Sequence, residues 1–273
     1  ALMTEGIGEA AMTETPVVIV EVQRGGPSTG LPTKTEQADL FQVFGASQGD
    51  FPKAILAPRT LSECYTLTIQ AFNLAEQYQC PVLMISDLYL AERNETLEQL
   101  DITNIPIERG PLITQWTNEG VYRRFKDTPT GVSPRALPGT PGTVHVAATD
   151  EHDEDGIVIS DVFTNPSMRA KIMDKRMRKL SHMLKEFPDP QLEGPAEAQL
   201  TLVGWGSTYQ VLRETMEALT KDGIALRMSE EDWDDVIDTD LSGPFYCIRA
   251  VSDHMIKQRS GHIVNISSIV GLQ

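Results

Sequence analysis

Arg24 opens the stretch of the chain best equipped for chemistry, QRGGPSTGLPTKTEQAD over residues 23–39. A guanidinium presents a planar fork of donors that matches a carboxylate or a phosphate. Gly25, Gly26 and Gly30 allow backbone to come close to a ligand, and the hydroxyls of Ser28, Thr29 and Thr33 add short polar contacts. The segment therefore reads as a loop for a small anion. The two familiar glycine-loop patterns do not fit it. Gly25 and Gly30 have the spacing of a phosphate loop, but Leu31 and Pro32 stand where that motif needs lysine and a hydroxyl. The glycines also lack the G-x-G-x-x-G spacing of a dinucleotide fingerprint. A tight turn whose Arg24 pairs with a nearby acid is the plain alternative.

Two further segments carry charge in suggestive patterns. Glu151, Asp153, Asp155 and Gly156 mimic the first half of a calcium loop, but position twelve falls on Val162 instead of a bidentate glutamate. A solvated acidic loop accounts for the run, with His152 a hydrogen-bonded loop histidine. Arg169, Lys171, Lys175, Arg176, Arg178, Lys179 and Lys185 crowd one predicted helix. In so acidic a chain this reads as a solvated helix that pairs with its own acidic loops or with a partner subunit. The cysteines, Cys64, Cys80 and Cys247, are scattered, odd in number and without a C-x-x-C pair. They point to a reducing compartment and to small buried side chains, and they are too few for a cluster held by four thiolates.

The elements that must position these residues alternate between strand and helix, which points to a parallel α/β sheet. Val17, Val18, Ile19, Val20 and Val22 read as a buried strand that feeds directly into Arg24. In open α/β sheets, ligands sit beyond the carboxyl ends of strands, where this loop would lie. Residues 54–57 read as another strand. Thr60 and Glu63 have capping-box spacing for a helix to about Tyr78, with Cys64, Leu67, Ala71, Leu74, Ala75 and Tyr78 as its apolar stripe. Residues 82–85 close the unit as a strand, residues 88–142 read mostly as loop, and residues 144–147 as a short strand. Asn165 and Pro166 make an N-cap and first turn for a helix over 167–187, whose apolar face is Met168, Ile172, Leu180, Met183, Leu184 and Phe187. Beyond a Pro-rich linker come a strand at 200–203 and a helix at 208–220 stopped by Gly223. Ser229 can cap a final helix, ended at Ser260 and Gly261, before a strand at 263–266.

Net charge is −16 with a sequence pI near 4.7, which argues against nucleic acid or an anionic membrane surface as partner. No apolar run reaches membrane-spanning length, and the first fifteen residues have no signal-peptide pattern, so a cytoplasmic location is expected.

The stretch QRGGPSTGLPTKTEQADL, with ATDEHDEDG at 148–156, RAKIMDKRMRKL at 169–180 and LVGWGST at 202–208, resembles the α subunit of the 2-oxoacid:ferredoxin oxidoreductases, in particular the 2-oxoglutarate branch. The resemblance covers residues 1–225. It implies a partial pyrimidine-binding-type domain at 1–187, a linker at 188–199 and the start of a second α/β domain at 200–225. It further implies a thiamine-diphosphate-dependent enzyme that decarboxylates a 2-oxoacid, passes electrons through iron–sulfur clusters to ferredoxin and releases an acyl-coenzyme A. Arg24 is implied to hold the 2-oxoacid carboxylate, with Thr29 and Thr33 beside it. The diphosphate with its magnesium, and the iron–sulfur cluster, are implied to be held mainly by a partner β subunit. The N-terminal stretch lies within a domain of that family, so Ala1 is read as a truncation point. The glutamate that activates the aminopyrimidine ring is expected upstream of it, and the chain alone is expected to be inactive and to bind no metal.

Residues 226–273 are similar to a different family, the short-chain dehydrogenase/reductases, closest to 3-oxoacyl-(acyl-carrier-protein) reductases. That resemblance implies a helix–strand piece of a Rossmann-type fold. Asp240 departs from the family's helix asparagine, and Ser268 maps to its catalytic serine. The Tyr-x-x-x-Lys pair and the TGxxxGxG loop are not present, so the chain reads as a junction of two coding fragments near residues 220–227. An NAD(P)-dependent reductase is the alternative function, and a non-enzymatic protein that docks a β subunit is a third.

Overall fold

The computed structural model describes residues 3–117, 120–160, 165–188, 192–195, 198 and 200–229. Its elements, in chain order, are α1 (Thr4–Met12), β1 (Val17–Gln23), α2 (Leu40–Gly45), β2 (Ala54–Leu56), α3 (Leu61–Tyr78), β3 (Pro81–Asp87), α4 (Leu88–Glu92), β4 (Leu112–Ile113), β5 (Arg135–Ala136), α5 (Pro166–Met183), β6 (Leu192–Glu193), β7 (Leu200–Val203), α6 (Thr208–Lys221) and β8 (Leu226–Ser229). They fall into two compact units. One comprises Ala1–Glu21, Asp39–Ile85 and Asn94–Phe187, and the other Val22–Ala38, Ser86–Arg93 and Pro188–Gln273.

The first unit is built on a sheet in the order β1-β3-β2, with β2 parallel to β3 in the register Ala54↔Val82, Ile55↔Leu83 and Leu56↔Met84. The connection is α3, whose N-cap Thr60 accepts a hydrogen bond from the Glu63 amide at 3.2 Å. The α3 face Ala71, Leu74, Ala75 and Tyr78 is buried on Ala54, Leu56, Val82 and Met84, with Leu67 packed at the edge. Each fully buried aliphatic side chain here contributes about 1.5–3 kcal/mol as an upper estimate. Cys80 belongs to this core, and burial pushes its thiol up to about 12, so it stays protonated and packs as a small hydrophobe.

Three expectations need correction in this unit. β1 is half-buried at best, with Val20 and Val22 exposed, because it is an edge strand rather than an interior one. Residues 144–147 form no strand, and Val144 is 94% exposed. Their β-branched side chains find no neighbouring strand among the described residues, and propensity alone does not make a ladder. In α5, capped as expected by Asn165 accepting from the Met168 amide at 3.1 Å, the buried stripe is Ile172, Lys175, Arg176, Lys179 and Met183. Leu184, expected inside, is exposed, and three basic residues expected in solvent take the inward positions.

In the second unit, β7 and β8 run parallel in the register Leu200↔Leu226 to Val203↔Ser229, while β6 is antiparallel to β8. Leu202, Leu212, Leu226 and Met228 form the core, covered by Tyr209, Met216 and Leu219. Gly223, at φ 82, ends α6 as expected, with the Ile224 amide donating to the Leu219 carbonyl at 3.1 Å. Ser229, read as a helix cap, is instead the last residue of β8. The expected final helix and strand, with Asp240, Cys247 and Ser268, lie outside the described residues.

Candidate functional site

The Arg24 loop lies in the second unit, directly after β1. Its backbone closes on itself. Gly25 donates to the Lys34 carbonyl at 3.1 Å, Leu31 to the Gly25 carbonyl at 2.8 Å, and Lys34 to the Leu31 carbonyl at 3.1 Å. Gly30 has φ +45, and a Cβ there would fall 2.5 Å from the Gly25 oxygen, so no other residue fits without reshaping the loop. The result is a braced loop with its polar side chains outward. Arg24, Ser28, Thr29 and Thr33 are all exposed on it. Arg24 makes no ion pair or hydrogen bond among the described residues. An unpaired guanidinium beside hydroxyls can take a small carboxylate in a bidentate grip. Gln37, Asp87 and Ser207, passed over in the sequence, form a hydrogen-bonded set in the same unit. The one sequence signal was Asp87, an N-cap residue type placed at the end of an apolar run.

The first unit holds a second concentration of titratable groups, and it is closed to solvent. Glu14, Lys175 and Lys179 are fully buried. Glu14 Oε1 lies 2.5 Å from Lys175 Nζ, and Oε2 lies 2.6 Å from Lys179 Nζ. Burial alone would raise the Glu14 carboxyl, but the two ammonium groups hold it at about 2. Burial pushes Lys175 down to about 8 against the pull of Glu14. Lys179 also donates to the Gln79 carbonyl at 3.1 Å, and Arg124 donates to the Glu14 carbonyl at 2.5 Å. Arg176 grips Glu151 at 2.7 and 2.9 Å, Arg169 pairs with the same carboxylate, and Lys171 pairs with Glu154. The expected pairing of this helix with the acidic loop is therefore present, with the Arg176–Glu151 pair buried and Arg169 and Lys171 reaching in from exposed positions. His152 is buried against Phe125, with ring centroids 4.0 Å apart and Nδ1 2.9 Å from the Asp150 carbonyl. Its remaining nitrogen, Nε2, has no partner among the described residues, and burial lowers the ring's proton affinity.

The carboxylates of the acidic loop have partners within the protein. Glu151 and Glu154 are occupied by cations, Asp155 pairs with Arg123 at 3.1 Å, and Asp153 Oδ1 accepts from the amides of Asp155 and Ile157 at 2.9 and 3.0 Å. Among the described residues, no three His, Cys, Asp or Glu side chains gather to hold a metal ion. An exposed guanidinium beside hydroxyls is chemically suited to a small organic anion. No described helix is long and apolar enough to cross a membrane.

Comparison with known proteins bears on the family and the fold. The family model of pyruvate flavodoxin/ferredoxin oxidoreductase, thiamine diP-bdg, matches residues 1–169. That of short chain dehydrogenase matches residues 216–273. The 2-oxoacid:ferredoxin oxidoreductase 1 subunit alpha of Sulfurisphaera tokodaii is 40% identical over 222 residues, covering 80% of this chain and 34% of the relative. The 2-oxoglutarate oxidoreductase subunit KorA of Mycobacterium tuberculosis is 33% identical over 225 residues, covering 82% and 33%. Among solved structures, 2-oxoglutarate:ferredoxin oxidoreductase from Magnetococcus marinus, with 2-oxoglutarate, coenzyme A and succinyl-CoA bound, has a TM-score of 0.76 and 38% identity. That match covers 84% of this chain and 39% of the other. The chain spans about a third of the length of these curated relatives. The parallel α/β sheet agrees with that fold, and the second match fits a Rossmann-type piece at the C-terminal end. With well over half of its residues matched by the first model, the chain belongs to the pyruvate flavodoxin/ferredoxin oxidoreductase family, through its thiamine-diphosphate-binding domain.

Proposed function

We propose that the chain serves as the α-subunit part of a 2-oxoacid:ferredoxin oxidoreductase acting on 2-oxoglutarate, with Arg24 as the carboxylate-binding residue. The observation that carries this reading is the exposed, unpaired guanidinium on a braced loop, in a chain whose relatives include 2-oxoglutarate oxidoreductase subunits. Thr29 and Thr33 share the loop and would donate to the same carboxylate or to its neighbouring oxygens. Oxidative decarboxylation requires the 2-oxoacid to be held in a fixed orientation toward a reactive carbon, and a rigid bidentate anchor performs that task. Thiamine diphosphate would supply the electron sink for that chemistry, held with its magnesium and the iron–sulfur cluster mainly by a β subunit. Ferredoxin and coenzyme A complete the reaction as electron and acyl acceptors. By itself the chain is expected to be inactive.

Support for the β-subunit partnership comes from relatives named as subunits. The test is ferredoxin reduction by the chain assembled with its β subunit, in the presence of 2-oxoglutarate and coenzyme A. Arg24→Lys should raise the KM for 2-oxoglutarate and leave that for coenzyme A in place, because an ammonium cannot reproduce the fork. Unchanged 2-oxoglutarate kinetics in that variant would remove Arg24 from the site.

The match over residues 216–273 favours a second reading of the tail as a piece derived from an NAD(P)-dependent short-chain reductase. In this reading Ser268 is the residue that corresponds to the family's serine, and the tail is a remnant without reductase chemistry. A fluorescence titration with NADPH decides it, since measurable binding would count against a remnant.

A further inference from the structure

We infer that Asp87 is a positioning residue that fixes the Arg24 loop through Gln37, fastening both ends of that loop to the end of one strand. The inference rests on the reading of Arg24 as a substrate anchor.

The loop is bracketed by two glutamines. At its entry, Gln23 Nε2 donates to the Ser86 carbonyl at 3.2 Å, and at its exit, Gln37 Nε2 donates to Asp87 Oδ2 at 3.1 Å. The two anchors are successive residues, the last two of β3, so thirteen residues of loop leave from and return to one point of the chain. All of these residues belong to the same compact unit.

The chemistry of Asp87 exceeds what its local role demands. Its Oδ1 caps α4, accepting the Leu90 amide at 2.9 Å. Serine, threonine or asparagine could do this equally well. The second oxygen faces inward and gathers two donors from distant segments, the Gln37 amide and the Ser207 hydroxyl. The Gln37 amide also lies 3.4 Å from the Trp205 carbonyl and 3.5 Å from Ser207 Oγ, in the turn that opens α6. Asp87 is only 1% exposed, and burying a carboxylate is costly unless its lone pairs are filled. Here neutral donors fill them, and two of those donors come from the exit of the Arg24 loop and from the β7–α6 turn. An acceptor-only group is what allows both donors to converge on one atom. Arg24 needs no partner of its own to be held in place, because the loop that carries it is held at both ends. That leaves its guanidinium available to a ligand, and it follows the general requirement that a binding group be oriented by supporting hydrogen bonds.

Hydrogen exchange on the 273-residue chain tests the anchoring directly. The amides of Gly25, Leu31 and Lys34 are bonded only within the loop, so their protection reports its shape. Gln37→Leu keeps the bulk of the side chain and deletes the donor. It should cost these three amides about tenfold in protection while the α3 amides keep theirs. Asp87→Asn should fall between wild type and Gln37→Leu, since the Gln37 amide can flip and the Ser207 hydroxyl can turn to accept. Calorimetric titration of 2-oxoglutarate against the same proteins separates the two layers. Weaker binding in Gln37→Leu together with lost protection supports the positioning role. Unchanged protection in Gln37→Leu overturns the anchoring, and lost protection with unchanged binding overturns the positioning role. Wild-type protein that binds no 2-oxoglutarate, while Gln37→Leu still loosens the loop, overturns the substrate role of Arg24 and leaves the anchoring standing.

Discussion

Arg24 and the inward stripe of α5 use basic residues in opposite ways. Arg24 stands exposed, without an ion pair among the described residues, on a loop held by other residues' hydrogen bonds. Lys175 and Lys179 are sealed inside the first unit, with the single carboxylate of Glu14 between them and the Arg176–Glu151 pair on the same helix face. In the proposed reading, the partner of Arg24 comes from outside the chain. The others are paired because no water reaches them, and a buried charge without a counterion is not tolerated. In that reading the charge at the surface of the loop serves recognition, whereas charge on the inner face of the helix serves architecture. The acidic run at 151–155 joins the second category, since its carboxylates already pair with α5, with Arg123 and with backbone amides.

Breaking the architectural side should have the larger effect. Glu14→Gln removes the one carboxylate shared by two buried ammonium groups and is expected to destabilise the chain by about 3–5 kcal/mol. Urea denaturation measures it, and a loss below about 1 kcal/mol, the range of exposed pairs, would mean that water reaches the cluster after all. Adding Lys175→Met to Glu14→Gln should recover part of the loss, because the remaining ammonium keeps the Gln79 carbonyl and gains an amide oxygen.

The loop is more fragile in shape than in stability. Gly30→Ala places a Cβ against the Gly25 carbonyl at a positive φ and should cost about 1–3 kcal/mol of local strain. The exchange protection of Gly25 and Leu31 should fall with it, and a variant that retains both would show that the loop has a second low-energy conformation. Arg24→Lys should move stability by no more than about 0.5 kcal/mol, the usual range for an exposed substitution. Its cost should appear only in 2-oxoglutarate affinity, at about tenfold, which corresponds to about 1.4 kcal/mol for a lost charge-assisted bond. A variant at Arg24 that unfolds the chain would move this residue to the architectural side.

What the sequence disclosed follows the same division. Local signals were sufficient for α3, where Thr60 caps and Ala71, Leu74, Ala75 and Tyr78 repeat at helical spacing, and for α6 with its stop at Gly223. The Arg24 loop was also legible, because glycine, hydroxyl and guanidinium sit together in one short stretch. The burial of Lys175 and Lys179 was not legible. Their periodicity, in step with Ile172 and Met183, is that of a core face, but hydropathy assigns lysine to solvent, and the compensating Glu14 is more than 150 residues away. Residues 144–147 failed for the converse reason: an apolar, β-branched run is a strand only where another strand receives it. Asp87, Gln37 and Ser207 come from three separate segments, so no local pattern could join them.

The smallest expected effect lies on the architectural side and depends on pH. His152 Nδ1 faces the Asp150 carbonyl and so carries the ring proton, which leaves Nε2 buried and without a partner among the described residues. Burial lowers its proton affinity, and Arg176 adds to this, while the Asp150 carbonyl, Glu14 and Glu151 oppose it. Below the ordinary histidine value of about 6.5, the unfolded chain takes up a proton that the folded chain does not, so folding loses stability as pH falls through that range. Glu14 acts in a separate, lower window: its contribution is complete above about 4.5, the unfolded value, and is lost as pH falls toward about 2. His152→Asn keeps a donor for the Asp150 carbonyl and removes the titration. Urea midpoints at pH 7 and pH 5 should therefore drop less in the variant than in the wild type, the other histidines contributing equally to both. Equal drops would show that His152 is protonated in the folded chain, and that Nε2 has found an acceptor in water or in a carboxylate that turns toward it.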